Sequence, residues 1–509
     1  MKTLLTSPRH LVVLVAAALY MLNTHSAHAA QNDKLLFTPA AQSAPKPLFG
    51  GNSASKATPV QPVTTADSEP FFKAHESAEP TNINLTPAPK MAVEKAPASV
   101  VRASPGEREL REIFYHAVAV AVQRSPQLRS AEFATEAARE DVKSAKGARY
   151  PQVDLNTDSR RWQFGKGNRN GSTTPAIGVN VATTIYDFGQ TSHTIDSKQH
   201  SVTAADFQLD AQREDLSWQV SSGLVELAKQ RLIIKMSEQY VTRMNELVTM
   251  LSGIVGQDPG RRSELTQATG RLLQAQSALD NAVAKARDSE IVLYRLLGET
   301  QVALPDNTAW NLKPGSLDAL LAQVERHPTL GQAREQAEAS LEEAKALKAS
   351  NLPKLNWVIS KSTARDDYGQ EEAWQTGVNV SWGVFRGGSS AAAEQAAVQR
   401  AYAQRELAEN QLDDLQQRVR AADQDARSML QRADLYRNLT KESDRIRLDF
   451  FDQWYHLGKR TLLDVLTSES DYYNNRVAEV TNRFDGYSAI FRGYASAGEL
   501  LAWLQDQKK

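Results

Sequence analysis

Apolar residues keep two rhythms along this chain, and each rhythm occurs twice. From about 190 to 255, a stretch without proline, Val220, Leu227, Ile234, Val241, Val248 and Val255 fall every seventh residue, the seam of a coiled-coil helix. From about 389 to 456, Leu412, Leu415, Val419, Ala422, Ala426, Met429, Ala433 and Tyr436 alternate by three and four amid charged residues, which predicts a second such helix. At 1.5 Å per residue, helices of about 65 residues reach on the order of 100 Å and need partners of similar length. Interrupted helices ahead of the strands, with others over about 262–297 and 461–504, can stack end to end beside them. Alanines in the seam let helix axes approach closely and favour a wall of helices over a thick core. The seam alone states how helices pack and nothing about function.

Ahead of each long helix the period drops to two, predicting strands at about 151–164 and 174–187, then 353–363 and 374–386. Val179, Val181, Thr183 and Ile185 alternate with Asn180, Ala182, Thr184 and Tyr186. Val378, Val380, Trp382 and Val384 alternate likewise with Asn379, Ser381 and Gly383. The first and third segments follow suit, Val153 and Leu155 against Asp154 and Asn156, and Leu355, Trp357 and Ile359 against Asn356, Val358 and Ser360.

The two sets are copies. Ser125-Pro126 returns as His327-Pro328 and Tyr150-Pro151 as Leu352-Pro353, both after 202 residues, and Gly178-Val179-Asn180-Val181 recurs letter for letter at Gly377-Val378-Asn379-Val380. Such self-similarity is an internal duplication, with a first repeat over 104–300, a linker over 301–315 and a second repeat over 316–505. Ser104, Pro105 and Glu107 form a capping-box pattern that predicts the first helix start.

The termini and the charge change the picture further. Lys2 and Arg9 precede an apolar stretch from Leu11 to Leu22 and then Ala27-His28-Ala29, the pattern of a signal peptide over 1–29. Residues 30–103 shift to Pro, Ala, Ser, Thr and Lys, a composition that reads as a disordered spacer. With 59 basic and 60 acidic residues the net charge is −1, so no long-range field draws nucleic acid. No cysteine is present, which rules out a disulfide or a lipidated cysteine as anchor. The nine histidines lack metal-ligand spacing and no nucleophile, base and orienter group together, so neither an enzyme nor a cofactor is expected. The loop from Gly165 to Gly171 lacks the Gly-Lys-Ser/Thr ending of a phosphate cradle and reads as an external turn.

Strands of about ten residues match a tilted crossing of a bilayer. An open sheet edge cannot face lipid, because each unpaired amide there costs several kcal/mol. Four strands cannot close alone, whereas three protomers would pool a twelve-stranded barrel. Trp162, Trp357, Trp374 and Trp382 would then form interfacial aromatic girdles against outer-membrane lipid. The competing reading is a soluble periplasmic coiled-coil scaffold whose hairpins form a small sheet.

From about Ser104 to Leu504 these features resemble the TolC family of outer-membrane channel-tunnels, most specifically at Tyr455-His456-Leu457-Gly458-Lys459-Arg460-Thr461-Leu462-Leu463-Asp464-Val465-Leu466. The resemblance implies an α+β membrane protein: a homotrimer with a twelve-stranded β-barrel in the outer membrane and a long periplasmic α-helical coiled-coil barrel. An adaptor and an inner-membrane pump of ABC type would engage its far end. It also implies that Tyr455 and Arg460, with Gly458 in the turn, hold the periplasmic tip closed, and that Asp464 contributes to an inward-facing ring. Taken without the motif, Asp464 reads as a solvated helix residue. Thr467 stands where the family pattern can place a second aspartate, and Thr266 where a tyrosine's acidic partner would be. In the first repeat Gly260, Arg262 and Glu264 are the nearest substitutes. That tip, Asp258-Pro259-Gly260-Arg261-Arg262-Ser263-Glu264-Leu265, looks more like those of type I systems exporting large adhesins. The cargo implied is therefore a type I secreted protein, with small-molecule efflux as the alternative.

Overall fold

The computed structural model describes residues 106–158, 176–308, 310–364 and 370–505, all within the unit Lys95–Lys509. The expected signal peptide, spacer, Ser104 cap, Trp162 and 165–171 loop lie outside the described residues.

The first repeat runs α1 (Glu107–Arg124), α2 (Pro126–Gly147), β1 (Gln152–Asp158), β2 (Ala176–Tyr186), α3 (Gln190–Gln257), a short 3-10 turn (Pro259–Arg261) and α4 (Arg262–Leu297). The second runs α5 (Leu317–Val324), α6 (Pro328–Ser350), β3 (Lys354–Ser362), β4 (Gln375–Ser381), α7 (Ser389–Tyr455), α8 (Leu462–Ala497) and a terminal α9 (Leu500–Gln505). Helix α1 starts on Gly106, whose cap carries no side-chain hydrogen bond. Strand β4 ends at Ser381, short of the expected 386, where Gly383, Gly387 and Gly388 interrupt the branched and aromatic residues that hold a pleat.

Local chemistry repeats with the sequence. Proline occupies the first position of both α2 and α6, capped by Ser125 Oγ accepting from Leu128 N and by His327 Nδ1 accepting from Thr329 N. Both long helices are entered through a left-handed glycine, Gly189 at φ 87° and Gly388 at φ 81°, a conformation that a side chain would strain.

Helices α3 and α7 span 68 and 67 residues. Helix α3 packs against α2 and α6 nearer the strands and against α4 and α8 beyond them, while α7 lies against α6 and then α8. Shorter helices thus line up end to end beside the long ones. Their joint is an aromatic core in which Phe114 stacks on Phe491 at 4.7 Å and Trp310 meets Phe484 and Tyr487 at 4.9 and 5.5 Å. Trp310 comes from the stretch between the repeats, so that linker is part of the core rather than a passive strap. No described helix is long and apolar enough to cross a membrane.

Candidate functional site

The four strands form one antiparallel sheet in the order β1-β2-β3-β4, and its register sorts side chains by chemistry. Val153 pairs with Val181 and Val181 with Ile359, while Leu155 pairs with Val179. Trp357 pairs with Val378 and Leu355 with Val380. These residues therefore share one apolar face. On the other face Asp154, Asn180, Ser360 and Gln375 line up across all four strands. A bulge between Thr184 and Tyr186 sets Tyr186 opposite Leu355, which moves it from the expected polar side to the apolar one. The apolar face is bare: Val378 and Val380 are 62% and 63% exposed. Strands β1 and β4 both end the sheet, so among the described residues each presents an unpaired edge.

Trp374 and Trp382 flank β4, eight residues apart and so separated by roughly 26 Å of extended chain, close to the ~25 Å apolar band of a membrane barrel. The indole of Trp382 donates to the Asn351 carbonyl at the helical end of the sheet. Trp357 instead sits inside β3 and donates to Thr376 Oγ1 at 2.9 Å, so it belongs to the sheet's body rather than to a rim.

At the opposite end of the long helices two tips meet. In the second, Gly458 turns the chain at φ 61°, and Thr461 and Asp464 cap α8 reciprocally. Asp464 Oδ2 accepts from Thr461 N at 3.1 Å, and Thr461 Oγ1 accepts from Asp464 N at 3.3 Å. The hydrogen bonds that the Asp464 carboxylate accepts from Thr461 N and Thr461 Oγ1, with Arg460 nearby, hold it below its ordinary pKa. Tyr455 is half exposed, stacked on Phe451 and edge-on to His456. Arg460 lies over the Phe450 ring at 4.3 Å and donates to Gln453 Oε1. Tyr455 and Arg460 therefore keep to their own tip within one chain.

In the first tip Asp258 Oδ1 accepts from Gly260 N at 3.0 Å, forming the turn. Glu264 is held by two hydrogen bonds from Arg261, at 2.8 and 3.2 Å, rather than by Arg262, which is exposed. The Arg261 guanidinium also lies 5.7 Å from the centre of the Trp454 ring, so it touches the second tip. Trp454 is 6% exposed and packs with Met244, Leu247 and Leu251 of α3 and Leu462, Val465 and Leu466 of α8.

A second tie lies deeper. Glu469 of α8, 2% exposed, accepts from Arg243 Nε of α3 at 2.9 Å and sits 3.6 Å from Arg447 of α7. Arg243 lies over the Phe451 ring at 4.7 Å, and Tyr240 stacks on Tyr473 at 4.5 Å. Arg261, Trp454, Arg243 and Glu469 were not singled out from the sequence. A signal existed for one of them, because Leu462, Leu466, Glu469 and Tyr473 follow the four-three-four spacing of a seam, and a charge there needs a buried partner.

An exposed apolar sheet face with a polar reverse, joined to long paired helices, is the arrangement of an outer-membrane channel subunit. The chain matches the family described as "Outer membrane efflux protein" over residues 117–299 and 322–489. It belongs to that family. Among relatives, it is 25% identical over 413 residues to "Outer membrane efflux protein BepC" of Brucella suis biovar 1 (strain 1330), covering 78% of this chain and 88% of the relative. The fold matches the outer-membrane channel OprN with a TM-score of 0.67 at 20% identity, over 76% of this chain and 90% of that one. It also matches the outer membrane protein VceC of Vibrio cholerae with a TM-score of 0.65 at 18% identity, over 76% and 96%. As an outer membrane efflux protein of the TolC fold, the chain resides in the outer membrane with its long helices on the periplasmic side. Members of this family are channels, not enzymes, and they work as trimers with an adaptor and an inner-membrane pump.

Proposed function

We propose that three copies of this chain form a passive exit duct, whose cargo is a protein delivered through the adaptor by an ATP-driven pump of ABC type. The largely apolar face of an open four-stranded sheet carries the trimer. Lipid on one side and water on the other satisfy its two faces, and neighbouring copies satisfy its edges. Cross-linking of detergent-purified protein is expected to trap a species of three chains; a monomer that still inserts in lipid would overturn the reading. The first-repeat tip supports a protein cargo, whereas the efflux named for BepC favours small molecules. A deletion strain that loses adhesin secretion but keeps its drug resistance is expected; drug sensitivity with intact secretion would reverse the choice.

The gate in this proposal comprises Tyr455, Gly458, Arg460 and Asp464, with Gly260, Arg262 and Glu264 in the facing tip. Arg261 against Trp454 and Arg243 against Glu469 lock the two tips within one chain. Tyr455, Arg460 and Arg262, exposed in the single chain, are placed to reach a neighbouring copy. Opening splays the tips by breaking these ties.

A further inference from the structure

We infer that His193, Asp196 and Glu342 form a binding site for a divalent transition cation of the zinc class, joining α3 to α6 just below the sheet. One ligand atom from each residue lies within 4.8 Å of the others. Two carboxylates and an imidazole suit zinc or cobalt, with water completing the shell. Their placement follows from the antiparallel pairing of the two helices. His193 lies in the first turn of α3, and Glu342 lies past the middle of α6, on the half that leads towards β3.

The imidazole is already turned the right way. Its Nδ1 faces Glu342 Oε2 at 2.7 Å, while its Nε2 edge rests 3.6 Å from where a Cβ on Gly189 would stand. Three carboxylates, Glu342, Glu338 and Asp196, act on Lys345, which is bonded to Glu342 Oε1 at 2.7 Å. The Asp196 side chain makes no hydrogen bond among the described residues. A metal with bonds of about 2.1 Å to nitrogen and oxygen needs those atoms roughly 3.4 Å apart in tetrahedral geometry, so the ring and carboxylate must part by about 0.7 Å.

The fold contains its own control. One heptad further, His200 Nδ1 meets Glu335 Oε2 at the same 2.7 Å. There Thr203 occupies the position equivalent to Asp196, so the third ligand is missing. The pair at His200 is a hydrogen bond alone.

The test titrates cobalt into tag-free trimer in detergent, reads its visible d–d absorption, and then displaces it with zinc. One saturable ion per chain is expected. Asp196→Asn, which keeps size and breaks no hydrogen bond, and His193→Gln should each weaken binding at least tenfold, since even indirect partners of a metal ligand cost 10–100-fold. His200→Gln should leave it unchanged. Zinc should raise the melting temperature of the wild type and not of Asp196→Asn. Absence of saturable cobalt, equal affinity in wild type and Asp196→Asn, or loss in His200→Gln would each overturn the site. The outcome is independent of cargo and gate.

Discussion

Single residues in this chain carry charge where a helix seam expects an apolar side chain, and their stability effects can be measured. Glu469 lies buried between Arg243 and Arg447, and removing one partner of such a pair strands a charge. Glu469→Ala should therefore cost up to about 3 kcal/mol, the low end for buried pairs because both guanidiniums keep a wet edge, and it should raise channel conductance in planar bilayers. An unchanged melting curve and conductance would remove Glu469 from the lock. Glu214 gives a second test. Burial pushes its carboxyl up to about 7, although the amides of Leu500 and Leu501 donate to it and favour the charged form. A carboxyl with a raised folded pKa binds its proton more tightly when folded, so its contribution is complete below the unfolded value near 4.5. That contribution is lost as pH rises towards 7. Thermal melts should fall between pH 5 and 7.5, and Glu214→Gln should flatten that slope. At this scale, the tip motif was legible as a string of letters. The partner of Glu469 was not, since Arg243 reaches it across a helix pair from 226 positions away.

Elements set the next scale, and here the period of the sequence carried most of the information. The seven-residue seam of α3 and the alternation of β2 are local properties that survive any tertiary arrangement. What alternation missed were interruptions: the bulge that turns Tyr186, and the glycines that end β4 early. The tip turn can be tested on the same footing. Gly458 at φ 61° tolerates a Cβ at a cost of about 1 kcal/mol, and Thr461→Ala removes a cap for about the same loss. Both variants should fray the start of α8, read as faster amide exchange there, with the sheet unchanged. In the sheet, Val378→Lys places a charge on the apolar face and should cost roughly 2–4 kcal/mol in lipid. Asn379→Lys, on the opposite face, should fold and insert normally. Equal effects from the two would show that the face assignment is wrong.

For the whole molecule, unfinished surfaces do the arguing: two unpaired sheet edges, one bare apolar face and exposed tip residues. The count of four strands could be read from the letters alone, and with it the need for further copies, because backbone groups in lipid must pair. The tertiary structure decided how the repeats are joined. Trp310 anchors the inter-repeat stretch among Phe114, Phe484 and Tyr487, and Arg261 ties one tip to the other. Weakening that tie in Arg261→Ala should increase open-channel conductance; closed channels indistinguishable from wild type would argue against it. By itself the sequence determined helices, strands and the apolar face, since each depends on residues a few positions apart, and the duplication, since its two copies share letters. Only the tertiary structure decided which distant charges meet, because residues such as Arg243 and Glu469, 226 positions apart, are brought within hydrogen-bond reach by packing that no local period encodes.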